Sequence, residues 1–147
     1  MESRFIFIDS GPFVIDLAFP QDARAGLTRR FLERVRRAGN GVTAVVAVLE
    51  VAGAVSFHSS VEDTARLARR FGELYGLRVW PETRRLSFEA DDVTERLTRR
   101  MTLGDALILT AAETCRPKVS KLVTWNPADF RGRTSLMVVT PQQCLRG

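Results

Sequence analysis

Histidine and tyrosine occur once each and cysteine twice among 147 residues. His58, Cys115 and Cys144 share no metal-ligand spacing, so the sequence offers no zinc centre and no Ser-His-Asp or Cys-His nucleophile built around its one imidazole. Cys115 reads as a small residue in a helix, Cys144 as a reduced thiol of the tail, and His58 as a helix-end or loop residue. Long apolar runs are lacking too. Phe5 to Ile8 is the longest near the N-terminus, far short of the roughly 20 residues of a membrane span. No basic region precedes a long apolar stretch, so the expectation is a cytoplasmic protein without membrane contact. Ten Gly and six Pro are too few for a collagen-like or wholly disordered chain.

Hydrophobic residues make up 45% and charged residues 27%, which with this length predicts a single domain, residues 1–147, able to bury one substantial core. The formal charge of +5 rests on arginine, Lys118 and Lys121 being the only lysines. Arg29-Arg30, Arg36-Arg37, Arg69-Arg70, Arg84-Arg85 and Arg99-Arg100 suit phosphates and carboxylates, which guanidinium groups bind bidentately. A solvated helix face or an acidic protein partner accounts for such pairs equally, and charge alone does not separate RNA, DNA and protein.

Arg4 to Ile8 predicts a buried strand ended by Asp9-Ser10-Gly11-Pro12. Ala23, Leu27, Phe31, Leu32, Val35 and Ala38 recur at helical spacing and Gly39-Asn40-Gly41 stops them. Val42 to Phe57 is valine-rich like a strand but long and alanine-rich like a buried helix. We read it as a helix capped by Thr43, with Val46, Glu50 and Gly53 or Ala54 along one side. Further helices are predicted over Val61 to Leu74, ended by Gly76, from about Asp91 to Met101, and from Asp105 through Ala112. Leu77 to Trp80, Leu122 to Thr124 and Leu136 to Val139 predict strands, the last closed by Pro141; residues 81–90 resist assignment. Strands alternating with helices imply an α/β fold on a parallel sheet.

Most carboxylates lie among arginines, but three do not. Asp9 follows four apolar residues, Glu50 interrupts an apolar stretch, and Asp105 opens another. An ionised carboxylate beside a buried segment is costly unless paired or bound to a metal. In an open parallel sheet ligands gather at the carboxyl ends of strands, where Asp9 and the loop from Trp125 to Phe130 would emerge. Clustered carboxylates repel, and a hard divalent cation such as Mg²⁺ or Mn²⁺ keeps them ionised. Such an ion would activate water against a phosphodiester, with arginines holding the phosphates. Taken singly, each acid has a structural alternative: a turn at Asp9, a buried arginine partner for Glu50, a first-turn dipole position for Asp105.

Four ordered segments carry a family resemblance over nearly the whole chain: Phe-Ile-Phe-Ile-Asp-Ser at the N-terminus, Val42-Thr43 through Gly53, Gly104 through Leu109, and Leu122 through Phe130. They resemble the PIN-domain nucleases, and among these the single-domain ribonuclease toxins of VapBC-type toxin-antitoxin pairs. The resemblance implies an α/β/α sandwich with a central parallel sheet, and Mg²⁺- or Mn²⁺-dependent hydrolysis of RNA. Asp9, Glu50 and Asp105 match the family's three firmest acids, Asp9 and Asp105 as metal ligands. Ser10 and Thr124 match hydroxyls that orient a ligand or water. The fourth acidic position falls on Asn126, where the family often has Asp, or on Asp129. A homodimer and a cognate antitoxin whose tail enters the acidic crevice are implied as well. Two other readings compete: a catalytically weak PIN-like scaffold that binds RNA or protein, signalled by Asn126, and an aspartyl-phosphate protein using Asp9, which lacks the accompanying acids such proteins carry.

Overall fold

Ile6, Phe7 and Ile8 are too apolar for a surface position on either face of a strand, which suits the centre of a parallel sheet covered on both sides. In the computed structural model, which describes residues 2–86 and 88–147, they form β1 (Ile6–Ile8), the middle of a five-stranded sheet. Its partners are β2 (Gly41–Ala44), β3 (Arg78–Trp80), β4 (Lys121–Val123) and β5 (Met137–Val139). The order is β3-β2-β1-β4-β5, and each adjacent pair is parallel. Val42, Phe7, Leu122 and Val138 stand side by side in register, as do Ile8, Val123 and Val139 one residue further along.

The alternation of side chains along each strand sends these two rows to opposite faces. The Phe7 row packs against Ile108, Leu109 and Ala112 of α7 (Leu103–Thr114), which α6 (Ala90–Leu97) covers. Ile6, Ile8 and Val123 pack on the other face. There they meet Phe13 of α1 (Ser10–Ala18), Phe31, Leu32 and Val35 of α2 (Ala25–Ala38), Val51 of α3 (Val45–Val55) and Phe71 of α5 (Phe71–Tyr75). The fold is therefore an α/β sandwich with helices on both faces, as the alternation of elements predicts. None of the described helices is long and apolar enough to cross a membrane.

From β1 the chain steps outward through β2 and β3, then returns through α6 and α7 to β4 on the opposite side of β1. The direction of winding thus reverses between β1 and β4, and the crevice outside their carboxyl ends is where such sheets hold ligands.

Several elements differ from the sequence reading. The valine-rich segment is not one helix: Gly41–Ala44 is a strand and the helix starts at Val45. Thr43 consequently caps nothing. Its fully buried hydroxyl donates to the Ile8 carbonyl at 2.7 Å, tying β2 to the end of β1. Asp9 does not open a loop but caps α1 directly, and Pro12 sits in the first turn, where no intrahelical N–H is required of it. Val61 to Leu74 is interrupted at Arg70, giving α4 (Val61–Arg69) and α5, with Leu74 exposed rather than inward. Pro141, expected only to close the last strand, begins α8 (Pro141–Arg146) under a Thr140–Gln143 capping box. The stops at Gly39 and Gly76 are as expected, both left-handed at φ 61° and 60°.

Gly41 is needed for another reason: a Cβ there would stand 2.5 Å from Val35 Cγ1 and 3.1 Å from Leu77 Cβ. Phe7, fully buried at the centre of its row, should be the costliest apolar side chain to truncate. Phe7→Ala is expected to lower unfolding free energy by about 3–5 kcal/mol in a urea titration, and a loss under about 1 kcal/mol would contradict this core.

Candidate acidic active site

Asp9 is one of the few buried ionisable side chains, 7% exposed, because it caps α1 at the point where β1 leaves the sheet. Its Oδ1 accepts the Ser10 backbone N–H at 2.7 Å and, at a longer 3.4 Å, the Ser10 hydroxyl. Its Oδ2 accepts the Thr124 hydroxyl at 2.8 Å. Thr124 follows β4 and is fully buried; its oxygen in turn accepts the Asn126 backbone N–H at 3.0 Å. The hydroxyl proton of Thr124 is therefore engaged by Asp9, and Thr124 acts on that carboxylate rather than on a free ligand or water.

Burial raises the Asp9 carboxyl above its ordinary range; hydrogen bonds from Thr124 and Ser10 oppose this, and the charge of Asp105 adds to it. Asp105 lies in the first turn of α7, where Thr102 caps the helix and accepts the Asp105 N–H at 3.2 Å. Burial raises its pKa as well, the Thr102 hydrogen bond opposing this, with Asp129 pushing upward and Arg133 downward. Glu50 shares the open side of α3 with Val46, Gly53 and Ala54, while Val48 and Val51 are buried on the other. Solvent reaches the residue along that side, while the protein packed around the carboxyl removes part of its hydration. Desolvation first, then the charges of Asp9 and Asp105, push the Glu50 carboxyl up to about 7.

Folding thus brings Asp9, Glu50 and Asp105 within electrostatic range of one another and Asp129 within range of Asp105, although they come from the end of β1, the middle of α3, the start of α7 and the loop after β4. Asp129 sits in the short 3-10 turn Pro127–Asp129, and both it and Asn126 are exposed at the rim. Among the described residues no group of three or more His, Cys, Asp or Glu could hold a metal ion. Mg²⁺ characteristically takes only one or two carboxylates and keeps several waters. Asp9 and Asp105, hard oxygen donors whose charges oppose each other, are chemically suited to that smaller share.

Two supports went unrecognised in the sequence. Glu113 accepts Arg96 Nε at 3.0 Å and an Arg99 nitrogen at 3.1 Å through Oε1, and the Thr134 hydroxyl at 3.2 Å through Oε2. Arg99 also donates to the Arg133 carbonyl at 2.7 Å, and Arg133 Nε to the Arg99 carbonyl at 3.0 Å. This knot fixes α6, α7 and the chain before β5 together, and places the Arg133 charge beside Asp105. The other support is Trp125, whose indole N–H donates to the buried Thr28 hydroxyl at 3.1 Å while Arg24 stands 5.4 Å over the ring. It pins the loop after β4 to α2. The Glu-Arg spacings in the sequence resembled an ordinary solvated face, so only proximity in space exposes the knot.

The chain matches no family model and no curated protein.

In metal-free protein the Glu50 carboxyl should titrate with a midpoint near 7 by ¹³C NMR, and Asp105→Asn should lower that midpoint. A folded-state value raised above the ordinary 4.5 means that the folded chain binds this proton more tightly than the unfolded one. Its stabilising effect is full below 4.5 and is lost as pH rises through about 7. Thermal melting should therefore show stability falling over this range more steeply in the parent than in Glu50→Gln; parallel profiles would contradict the shift. In a separate experiment, Glu113→Ala leaves the buried Arg96 without its partner and should cost about 3 kcal/mol by urea unfolding.

Proposed function

We propose that the chain is a Mg²⁺- or Mn²⁺-dependent endoribonuclease that hydrolyses RNA phosphodiester bonds, and that it serves as the toxin of a toxin-antitoxin pair. The observation that carries the reading is that Asp9, Glu50 and Asp105 lie within electrostatic reach of one another: after burial, the charge of Asp105 raises the proton affinity of Asp9, and the charges of both raise that of Glu50. The like-charge part of that effect, as distinct from burial, is relieved by a divalent cation as well as by a proton. The resemblance to the PIN-domain nucleases in four ordered segments, and the all-parallel α/β fold, support the same conclusion.

Asp9 and Asp105 would hold the ion. When bound, it supplies positive charge to a phosphoryl oxygen and makes a nearby water easier to deprotonate. Ser10 and Thr124 orient the Asp9 carboxylate for this duty through the bonds to its two oxygens. Glu50, which changes protonation state near neutrality, is suited to take a proton from the attacking water. Asn126 and Asp129 stand at the rim, where a substrate enters. Exposed Arg30, Arg37, Arg69, Arg85 and Arg100 are the members of the arginine pairs available to neutralise phosphates. A homodimer and an antitoxin whose tail occupies the crevice belong to the same proposal.

A second reading, a scaffold that binds RNA or protein, is favoured by Asn126 in place of an acid and by the lack of a three-ligand set among the described residues. End-labelled single-stranded RNA incubated with the protein separates the two. The nuclease requires cleavage that depends on Mg²⁺ or Mn²⁺, stops with EDTA, and falls about 10²–10⁴-fold in Asp9→Asn or Glu50→Gln. RNA binding without metal-dependent cleavage supports the scaffold instead. In cells, growth arrest and new RNA ends that persist in Asp9→Asn would overturn the role given to Asp9.

A further inference from the structure

A cavity of about 310 Å³ is lined by Val46, Trp80, Phe88, Thr110 and Thr114 among others. Trp80 ends β3 in register with Ala44 at the end of β2, and the wall completed by Thr110, Ala111 and Thr114 sets the cavity between the ends of these two strands and the C-terminal half of α7. Asp9 and Thr124 occupy the corresponding ends of the next two strands. The two sites share their helices as well. Val46 lies one turn before Glu50 on the same side of α3, and α7 runs from Asp105 to Thr110 and Thr114. Arg84 donates to the carbonyls of Ala68 and Arg69, holding the segment after β3 against α4, while Arg85 beside it is exposed.

The chemistry of the lining is specific. Two aromatic side chains, Trp80 and Phe88, belong to the wall. The hydroxyls of Thr110 and Thr114 donate to Ala106 and Thr110 carbonyls inside their own helix, at 2.7 and 2.6 Å, so toward a ligand they can only accept. A flat, aromatic group carrying N–H donors and attached to an anionic chain that can reach both the acids and Arg85 satisfies all of these conditions. We infer that the cavity is a nucleobase subsite, which takes one unpaired base of single-stranded RNA while the adjoining backbone lies at the acidic crevice. Stacking on aromatic side chains is how unpaired bases are held in general. The inference rests on the RNA reading above and adds to it the residues that would select the cleavage position.

The test uses the protein with Asp9→Asn, which suppresses cleavage and leaves Trp125 in place to pin its loop, and takes as the Trp80 signal the fluorescence that Trp80→Phe removes. The four ribonucleoside monophosphates and a short single-stranded RNA are titrated against Trp80 fluorescence. Saturable quenching is expected. Phe88→Ala, and Thr114→Trp, which fills the cavity from an exposed position, should each weaken RNA binding about five- to a hundredfold. An abasic RNA of equal length should bind these variants and their parent alike, and circular dichroism establishes that the variants are folded. Absence of saturable quenching, or equal affinity of parent and variants for intact RNA, overturns the subsite even if metal-dependent cleavage is found. Quenching by an apolar peptide and by none of the nucleotides overturns it in favour of a protein partner. Base-dependent quenching in a protein whose parent cuts no RNA upholds the subsite and removes only the nuclease.

Discussion

The Thr124 hydroxyl bonded to the Asp9 carboxylate at 2.8 Å joins the carboxyl ends of β1 and β4, the two strands between which the sheet changes direction. A charge-assisted bond of this kind contributes about 1.5–3 kcal/mol, and leaving the carboxylate buried without it would cost a comparable amount. Much else in the site follows from it. Asp9 can be buried because Thr124 and Ser10 each satisfy an oxygen, and their bonds offset part of the rise in pKa that burial causes. Thr124, engaged in this way, receives the Asn126 N–H and turns the chain into the loop that carries Asp129. The Thr43 hydroxyl bonded to the Ile8 carbonyl holds the same strand end from the other side. Asp9 is therefore held by three neighbouring segments in a position that its own short strand could not define.

The positive charge of the chain is divided between two duties. One arginine of each pair is occupied within the fold: Arg29 with Asp16, Arg36 with the Leu74 carbonyl, Arg70 with Glu73, Arg84 with carbonyls of α4, and Arg99 with Glu95 and Glu113. Most of these contacts are exposed and each is worth little alone. They nevertheless orient the helices and leave the second arginine of each pair facing water. A formal charge of +5 overstates the surface available to phosphate, since a share of the guanidinium groups already has partners inside the molecule.

Where local pattern and burial agreed, the sequence was readable. Phe31, Leu32 and Val35 announced α2, Gly39 and Gly76 its stop and that of α5, and the run before Asp9 announced the central strand. The valine-rich segment was misread because its first residues take their conformation from β1 and β3. Hydrogen bonding to flanking strands is a tertiary contribution, and it overrode a continuous helical pattern. The helices α1 and α8 were missed for a different reason: proline in a first turn resembles a loop signal unless the capping residue before it is weighed together with it. Helical spacing placed Glu50 on one side with Val46 and Gly53 or Ala54, and that side of α3 is the open one. The acids could be singled out along the chain, but Glu113 and Trp125 could not, because their partners lie in other elements.

By itself the sequence determined an alternating α/β chain, rich in arginine, poor in histidine and cysteine, with isolated acids beside apolar segments. Those properties depend on composition and on contacts a few residues apart. Only the tertiary structure decided that Asp9 and Thr124 meet, that Glu50 feels two other carboxylates, and that Trp80 opens a cavity along the same edge. The physical reason is that charge repulsion, desolvation and stacking act through space over a few ångströms, and the residues concerned are separated by tens of positions until the sheet closes around β1.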